Sequence, residues 1–469
     1  MRARLLLLAG ALLAFGASLG SGFHSDDYAI FNDPALNSVS GWLSAWARRQ
    51  TGPLTYFTFW LNRQIGGGDP LGYHLFNLAM HLGAVVLAWE CLRRLLPERT
   101  ALIAAALFAI HPIQSEPVNS VWARSIVLAG LLSLASLWNW LERRQWVAVA
   151  WFALALLAKE EVAAFPLFLA WLEWRGVLHR RARRWTPIAV MFALSLAAAA
   201  RAIYANTEIS PSRYLLAQGG AILRYLQLSV LPYGFTIDPQ LPSGPWLPIA
   251  GWLAILAVVV LSLRRAPAIG TWVVGGLLLL LPTSSIFPAA DVAADRRMYL
   301  AMFAFAAALA LILDRIRPTA ALAALGVVVL GLSVQRTIVW MKDESLWREA
   351  MEHAPDKVRP KLQLARALPA AKALELLNRA RLTAPHDPSI ATEMGKILLT
   401  EGQPDAALEE FGHALSLDPM NPQYINNRGV ALLALGQTEA ARADFLRALQ
   451  FDPNLKEARD NLEKLPPQQ

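Results

Sequence analysis

Apolar residues along the first 340 positions fall in long blocks, and the short polar joints between the blocks carry arginines in pairs. An α-helix rises 1.5 Å per residue, so about 20 apolar residues cross the ~30 Å hydrocarbon layer of a membrane, and shorter runs manage with snorkelling ends or a thinned bilayer. The blocks near 5–22, 71–90, 100–112, 123–141, 145–158, 162–175, 185–203, 247–263, 267–285, 298–313 and 319–338 therefore predict about eleven crossings. A further stretch, RYLLAQGGAILRYLQLSVLP (213–232), breaks the alternation of arginine clusters if counted as a crossing and is predicted to be a re-entrant or surface helix on the outer side. Beyond residue 340 the pattern changes to charged amphipathic helices with regular prolines, which divides the chain into a membrane domain (1–340) and a soluble domain (341–469).

The second part is repetitive. Pro385, Pro419 and Pro453 recur every 34 residues, the tetratricopeptide period. The packing positions recur with them: Gly395, Ala407, Phe411 and Ala414 in one unit, Gly429, Ala441, Phe445 and Ala448 in the next. SLWREAMEHAP (345–355) reads as the end of a degenerate unit, with Trp347 at the phenylalanine position and Ala350 at the small one. Helix pairs of this kind bury their apolar faces only by stacking on one another, and the resulting concave surface binds a protein or peptide. The predicted fold class is all-α: a polytopic transmembrane bundle followed by a tetratricopeptide α-solenoid.

Composition and charge agree. Hydrophobic residues make up 55% of the 469 and charged residues 17%, against about 25% charged in soluble domains. The formal charge of +8 does not indicate nucleic acid, because the arginines stand between apolar runs. Arg2 and Arg4, Arg93 and Arg94, Arg143 and Arg144, the run from Arg180 to Arg184, Arg264 and Arg265, and Arg315 and Arg317 are expected on the cytoplasmic side. The amino terminus is then inside and the carboxyl terminus outside, in a bacterial inner membrane. If residues 5–22 were instead a cleaved signal peptide, the segment after them would still lie outside. The single cysteine, Cys91, cannot form an intrachain disulfide.

Five polar stretches share that outer side: HSDDYAIFNDP (24–34), residues 51–81, HPIQSEPVNSVWARS (111–125), LAKEE (157–161) and FPAADVAADRRMYL (287–300). Lys159 is the only lysine before residue 342. Ionisable groups at membrane depth are costly and face a cavity or a partner, so their collection on one leaflet reads as a site. His74, Asn77 and His81 share one helical face and are expected to make interhelical hydrogen bonds.

These stretches resemble the transmembrane and tetratricopeptide-repeat O-mannosyltransferases and their bacterial relatives, within the C-type glycosyltransferases. Asp26 and Asp27 match the acid pair after the first span; Pro53, Leu54, Thr55, Asn62, Gly67, Pro70, His74, Leu75, Asn77 and His81 match the second motif. His111, Pro112, Ile113, Glu116 and Arg124 match the third, Lys159 and Glu160 the fourth, and Pro282, Ser284, Phe287, Pro288, Arg296 and Tyr299 the fifth. Four positions depart from the family: Gly52 replaces an arginine, Gln114 a histidine, Ile126 an acid and Asp295 a glutamate.

The resemblance implies transfer of a monosaccharide from a polyprenyl-phosphate carrier to a hydroxyl, with a protein or peptide acceptor presented by the repeats. Such a displacement needs a base at the acceptor and positive charge on the departing phosphate. Asp26 is expected as the base, with Asp27 as the alternative; the plainer reading has Asp26 cap and solvate its loop. Lys159, Arg296 and Arg297 are expected on the lipid phosphate, unless they only snorkel. His111, Glu116, Arg124 and Glu160 are expected to orient the acceptor or sugar. His111 with Glu116 could hold a divalent metal, or simply be hydrogen-bonded structure. Two other readings are an enzyme that glycosylates an envelope lipid or polysaccharide, and a non-catalytic scaffold for the repeats.

Overall fold

The computed structural model describes residues 1–24, 27–31, 33, 36–47, 52–178, 185–202, 209–241, 244, 246–289, 291–316 and 318–466. Every regular element among them is helical. The chain separates into two compact units, Met1–Leu346 and Trp347–Gln469.

The first unit contains α1 (Arg2–Phe15), α2 (Asp27–Phe31), α3 (Val39–Ala47), α4 (Pro53–Gly66), α5 (Pro70–Leu95), α6 (Glu98–Ile110), α7 (Ser115–Asn119) and α8 (Arg124–Leu141). It continues with α9 (Gln145–Ala158), α10 (Phe165–Trp174), α11 (Trp185–Ala202), α12 (Pro211–Val230), α13 (Leu247–Arg265), α14 (Pro267–Leu280), α15 (Met298–Leu313) and α16 (Thr319–Val339). α17 (Asp343–His353) begins at its end. Local chemistry fixes several of these boundaries. α5 starts where the Asp69 carboxylate accepts from Leu71 N (3.0 Å) with Pro70 in the first turn, and it stops with Arg93 and Arg94 beside the negative end of the helix dipole.

Among the described residues six helices can cross a membrane by length and composition: α1 with its short 3-10 extension to Gly20, α5, α8, α13, α15 with the turn Asp295–Arg297 before it, and α16. The bent pair Glu98–Ile110 and Pro112–Asn119 would make a seventh. The expectation of about eleven also counted α9, α10, α11 and α14. α9 and α14 are 14 residues each and α10 is 10, so they rise only ~21 Å and ~15 Å, short of the hydrocarbon layer. α12 is not among the spans.

α15 forms the centre, with almost every side chain from Met298 to Ala308 buried, while α13 and α16 present exposed Leu253, Leu256, Val327 and Val328 at the periphery, as lipid-facing helices do. Small residues let the central helices approach: a Cβ on Gly130 would lie 2.5 Å from the Tyr299 ring, and one on Gly276 2.6 Å from Phe305. The expected hydrogen bonds of α5 form between elements. His74 donates to Gly22 O, Asn77 to Ser120 O, and the two ring nitrogens of His81 face Tyr299 Oη and Ala109 O.

The second unit stacks α18 (Val358–Arg366), α19 (Ala370–Thr383), α20 (Pro388–Thr400), α21 (Pro404–Leu417), α22 (Pro422–Ala434), α23 (Thr438–Phe451) and α24 (Lys456–Glu463). Asp387 and Asn421 cap α20 and α22 through their side chains. The glycine and phenylalanine of each repeat are a matched pair: a Cβ on Gly395 would meet the Phe411 ring at 2.6 Å, and one on Gly429 the Phe445 ring at 2.6 Å. Gly395→Ala should therefore destabilise the repeats by about 1–3 kcal/mol through overpacking. Gly412→Ala, at a helical position with open space, should stabilise them by about 0.5–1 kcal/mol, and thermal unfolding of the repeat unit distinguishes the two.

Candidate active site

At one end of the bundle a buried carboxylate organises the loop after α1. Asp27, 1% exposed, opens α2 and accepts from His24 N at 2.9 Å and from Trp122 N at 2.7 Å, so it joins this loop to the segment leading into α8. Asp26 lies outside the described residues. Arg124, two residues past Trp122, is fully buried: Nε donates to Asn77 Oδ1 (2.8 Å) and Nη2 to Tyr73 O (3.0 Å). Its guanidinium stands 4.4 Å from the centre of the Phe59 ring and 4.9 Å from that of Phe76, so aromatic faces supply part of the compensation for a buried charge. Its Nη1 has no hydrogen-bond partner among the described residues.

Lys159 follows α9 and lines a cavity whose walls also include Ile30, Thr55, Tyr56, Phe59 and Trp122. Its side chain is 22% exposed and its ammonium lies 3.5 Å from Glu161 Oε1. Burial disfavours the ammonium, but the carboxylates of Glu161 and Glu160 outweigh it and hold the group above its ordinary lysine value. Lys159 is therefore a cation at neutral pH. The start of α4 is pressed against this turn, with Thr55 Oγ1 donating to Ala158 O at 2.9 Å. A Cβ on Gly52 would lie 2.2 Å from Ala158 O and 2.5 Å from Leu157 O, so no larger side chain fits this packing.

Arg296 donates from Nη1 to Glu116 Oε1 (2.8 Å), from its backbone N to Glu116 Oε2 (3.1 Å) and from Nη2 to Asp291 Oδ2 (2.5 Å). Its charge is felt at Lys159, and its side chain remains 23% exposed. Arg297 is buried and donates to Tyr214 Oη, Thr283 O, Val292 O and Asp291 O.

His111 and Glu116 are likewise engaged. Ile113 N donates to His111 Nδ1 at 3.2 Å, the ring also hydrogen-bonds the Ser229 backbone, and both Glu116 oxygens serve Arg296. Among the described residues no three His, Cys, Asp or Glu side chains gather to hold a metal ion. Glu160 is half-buried in the short 3-10 turn after Lys159 and contributes to its field.

Sequence reasoning set the 213–232 helix on the outer side but gave the residues of α12 no part in this end. Tyr214, Gln218 and Tyr225 recur at helical spacing and clamp the segment before α15: Tyr214 Oη donates to Thr283 O (2.6 Å), Gln218 Nε2 to Val292 O (2.9 Å), and Tyr225 Oη accepts from Ala294 N (2.9 Å). Arg224 Nη2 pairs with Asp295, at 2.9 Å to Oδ2. The signal was present as polar residues at positions i, i+4 and i+11 in an otherwise apolar helix.

The opposite end of α5 is basic. Glu90, buried, is held by Arg4 (2.5 Å), Arg93 (2.6 Å) and Arg94 (2.8 Å), and Arg94 also reaches Glu142. About 24 Å of helix rise separates Glu90 from His74, nearly the depth of a hydrocarbon layer.

The fold and site define an all-helical, multi-pass membrane protein with an acid- and base-rich end and an appended repeat array. Residues 50–204 match the family described as dolichyl-phosphate-mannose-protein mannosyltransferase, and residues 392–455 match the tetratricopeptide repeat. The chain is similar to Protein O-mannosyl-transferase F38B6.6 of Caenorhabditis elegans, 30% identical over 155 residues, covering 29% of this chain and 22% of that protein. It is 37% identical over 124 residues to Protein O-mannosyl-transferase Tmtc1 of Drosophila melanogaster, covering 25% of this chain and 14% of the relative. To Protein O-mannosyl-transferase TMTC1 of Homo sapiens it is 34% identical over 146 residues, covering 27% and 17%. The aligned stretches span less than a quarter of each of these relatives.

Glu116→Gln would leave Arg296 with one carboxylate in a largely buried setting, a loss of about 3 kcal/mol expected for breaking such a pair. A fall in the thermal midpoint of the detergent-solubilised protein measures it. Gly52→Ala should also lower that midpoint, because the added methyl meets two backbone carbonyls rather than a side chain that can move.

Proposed function

We propose that the chain is a membrane glycosyltransferase that moves a monosaccharide from a polyprenyl-phosphate carrier to a hydroxyl of a protein acceptor. The observation that carries the reading is the set of oriented cations and carboxylates gathered at one end of the bundle, where Arg296 is held by Glu116 and Asp291 and Lys159 lines a small cavity of about 30 Å³. Lys159 lines it together with Ile30 and Trp122, which flank the Asp27 contacts, and Lys159 and Asn77 both fall within the segment similar to the mannosyltransferase family. The repeats favour a protein acceptor over an envelope lipid or polysaccharide, since a concave helical array suits a peptide. The largely buried ion pairs of the acid-bearing end, Arg296 with Glu116 and Arg224 with Asp295, speak against a bare anchor for the repeats.

In this reading Asp26 takes the proton of the acceptor hydroxyl as its oxygen attacks the anomeric carbon. The bond from that carbon to the phosphate oxygen breaks, the carbon inverts, and the carrier leaves with the electron pair as polyprenyl phosphate. Lys159 meets the phosphate as a point charge. Arg296, oriented by Glu116 and Asp291, adds positive field beside it. Asp27, with each oxygen accepting from a backbone N–H, holds the loop rather than taking the proton. Arg297, with α12, shapes the segment that presents Arg296, and Arg124 with its aromatic surround fixes the junction of α5 and α8. Glu160 tunes Lys159.

The arginine-rich end of α5 supports an orientation with that end cytoplasmic and the site on the outer face of a bacterial inner membrane. Asp343 pairs with His24 within the first unit, so the chain leaves that unit at the end bearing the acids, which supports repeats on the same outer side. Undecaprenyl-type phosphate would be the carrier in such a membrane.

The purified chain in lipid nanodiscs, given polyprenyl-phosphate sugars and serine- and threonine-bearing peptides, should add one sugar mass to the peptide. Asp26→Asn should lower kcat by about 10²–10⁴-fold, the usual contribution of a general base. Lys159→Ala should act on donor use. Transfer at the unchanged rate by both variants would remove these assignments.

A further inference from the structure

The loop that carries the acid pair is fastened at its start by a histidine that the reaction scheme does not use. His24 is 5% exposed, and Nδ1 stands 2.7 Å from Asp343 Oδ1. Nε2 stands 3.2 Å from Ser21 Oγ, and that hydroxyl donates its own proton to Trp340 O at 3.1 Å. Ser21 therefore faces the ring as an acceptor, and so does the Asp343 carboxylate. The ring thus meets an oxygen at each nitrogen, a pattern in which the imidazolium donates at both. The ring also packs edge-on to Trp340, at 5.8 Å between centres. The backbone N of the same residue donates to Asp27 Oδ2. One residue thus joins the end of α16, the first residue of α17 and the buried carboxylate of the acid loop.

Resting on the transferase reading above, we propose that His24 is a positioning residue for the transfer: paired with Asp343, it fixes the loop that bears Asp26 and Asp27, and transfer weakens when the pair is released. Three titratable groups face it. Burial disfavours its charge, but Asp343 of α17 and Asp27 of α2 outweigh that and raise the imidazole above its ordinary value of 6.5; His74 of α5 is close enough to feel the charge. A raised value gives stabilisation that is complete below about pH 6.5 and is lost as pH rises through the folded-state value. The loop should therefore loosen on the alkaline side.

The test uses the full chain in nanodiscs with polyprenyl-phosphate mannose and a serine-bearing peptide. It compares wild type, His24→Gln, Asp343→Asn and the double variant, with kcat and donor KM measured across pH and amide exchange measured on the 18–31 segment. Wild type should lose kcat as pH rises above ~6.5, while exchange in the loop quickens. His24→Gln should lose kcat roughly 10- to 100-fold at low pH, as small misplacements of reacting groups do, with donor KM little changed and no further alkaline loss. Asp343→Asn should do the same, and the double variant should be no worse than either single one. Wild-type kcat and an intact alkaline limb in His24→Gln would overturn the proposal, as would loop exchange that ignores both substitutions. If wild type transfers nothing at any pH while exchange still responds, the transferase reading falls and takes the positioning role with it, although the contact itself stands.

Discussion

A carboxylate 1% exposed, accepting backbone hydrogens from residues 24 and 122, is the constraint around which the acid-bearing end is arranged. An ionised side chain in such surroundings is tolerated only when its oxygens are satisfied, and removing either donor would leave a buried charge underpaired. Asp27 meets the condition by drawing together two stretches that are 95 residues apart in sequence. That junction places α2 against the turn before α8, and Ile30 and Trp122 thereby become walls of the cavity that Lys159 enters.

The same logic recurs around it. Arg124, buried beside the junction, is held by an amide, a carbonyl and aromatic faces. Arg296 is held by two carboxylates, and Arg297 by carbonyls and a phenol. Each cation is oriented by a partner from another element, so the polar end is a connected network in which positions are mutually fixed, the arrangement that preorganised electrostatic catalysis needs. Lys159 differs in kind. Its ion pair with Glu161 is long, and it lines a cavity, which leaves it the better suited of these cations to meet a phosphate.

Much of this was legible in the sequence. The 34-residue period gave the repeats because each glycine exists to receive a phenylalanine ring, and that demand leaves both residues at fixed spacing. The hydrogen-bonding face of α5 was legible because a polar residue on an apolar helix must find a partner. The number of spans was not, since apolar runs record burial without recording length of helix: α9, α10 and α14 are apolar and packed but shorter than a straight crossing of the full hydrocarbon layer. Nor was the division of labour among the charged residues. Asp27 and Lys159 look equivalent as charges in a string, and only the distances to Trp122 N and Glu161 separate a structural carboxylate from a cavity-lining cation. The role of His24 was invisible because its partner lies 319 residues away.

The central claim is that a lipid phosphate binds at the acid-bearing end, between Lys159 and the Asp27 junction. A cryo-electron-microscopy structure of the full chain bound to a polyprenyl-phosphate sugar tests it directly. The phosphate should lie within hydrogen-bonding distance of the Lys159 ammonium, with the sugar turned toward the loop of Asp26. A phosphate seated instead among Arg4, Arg93 and Arg94, at the far end of α5, would contradict it.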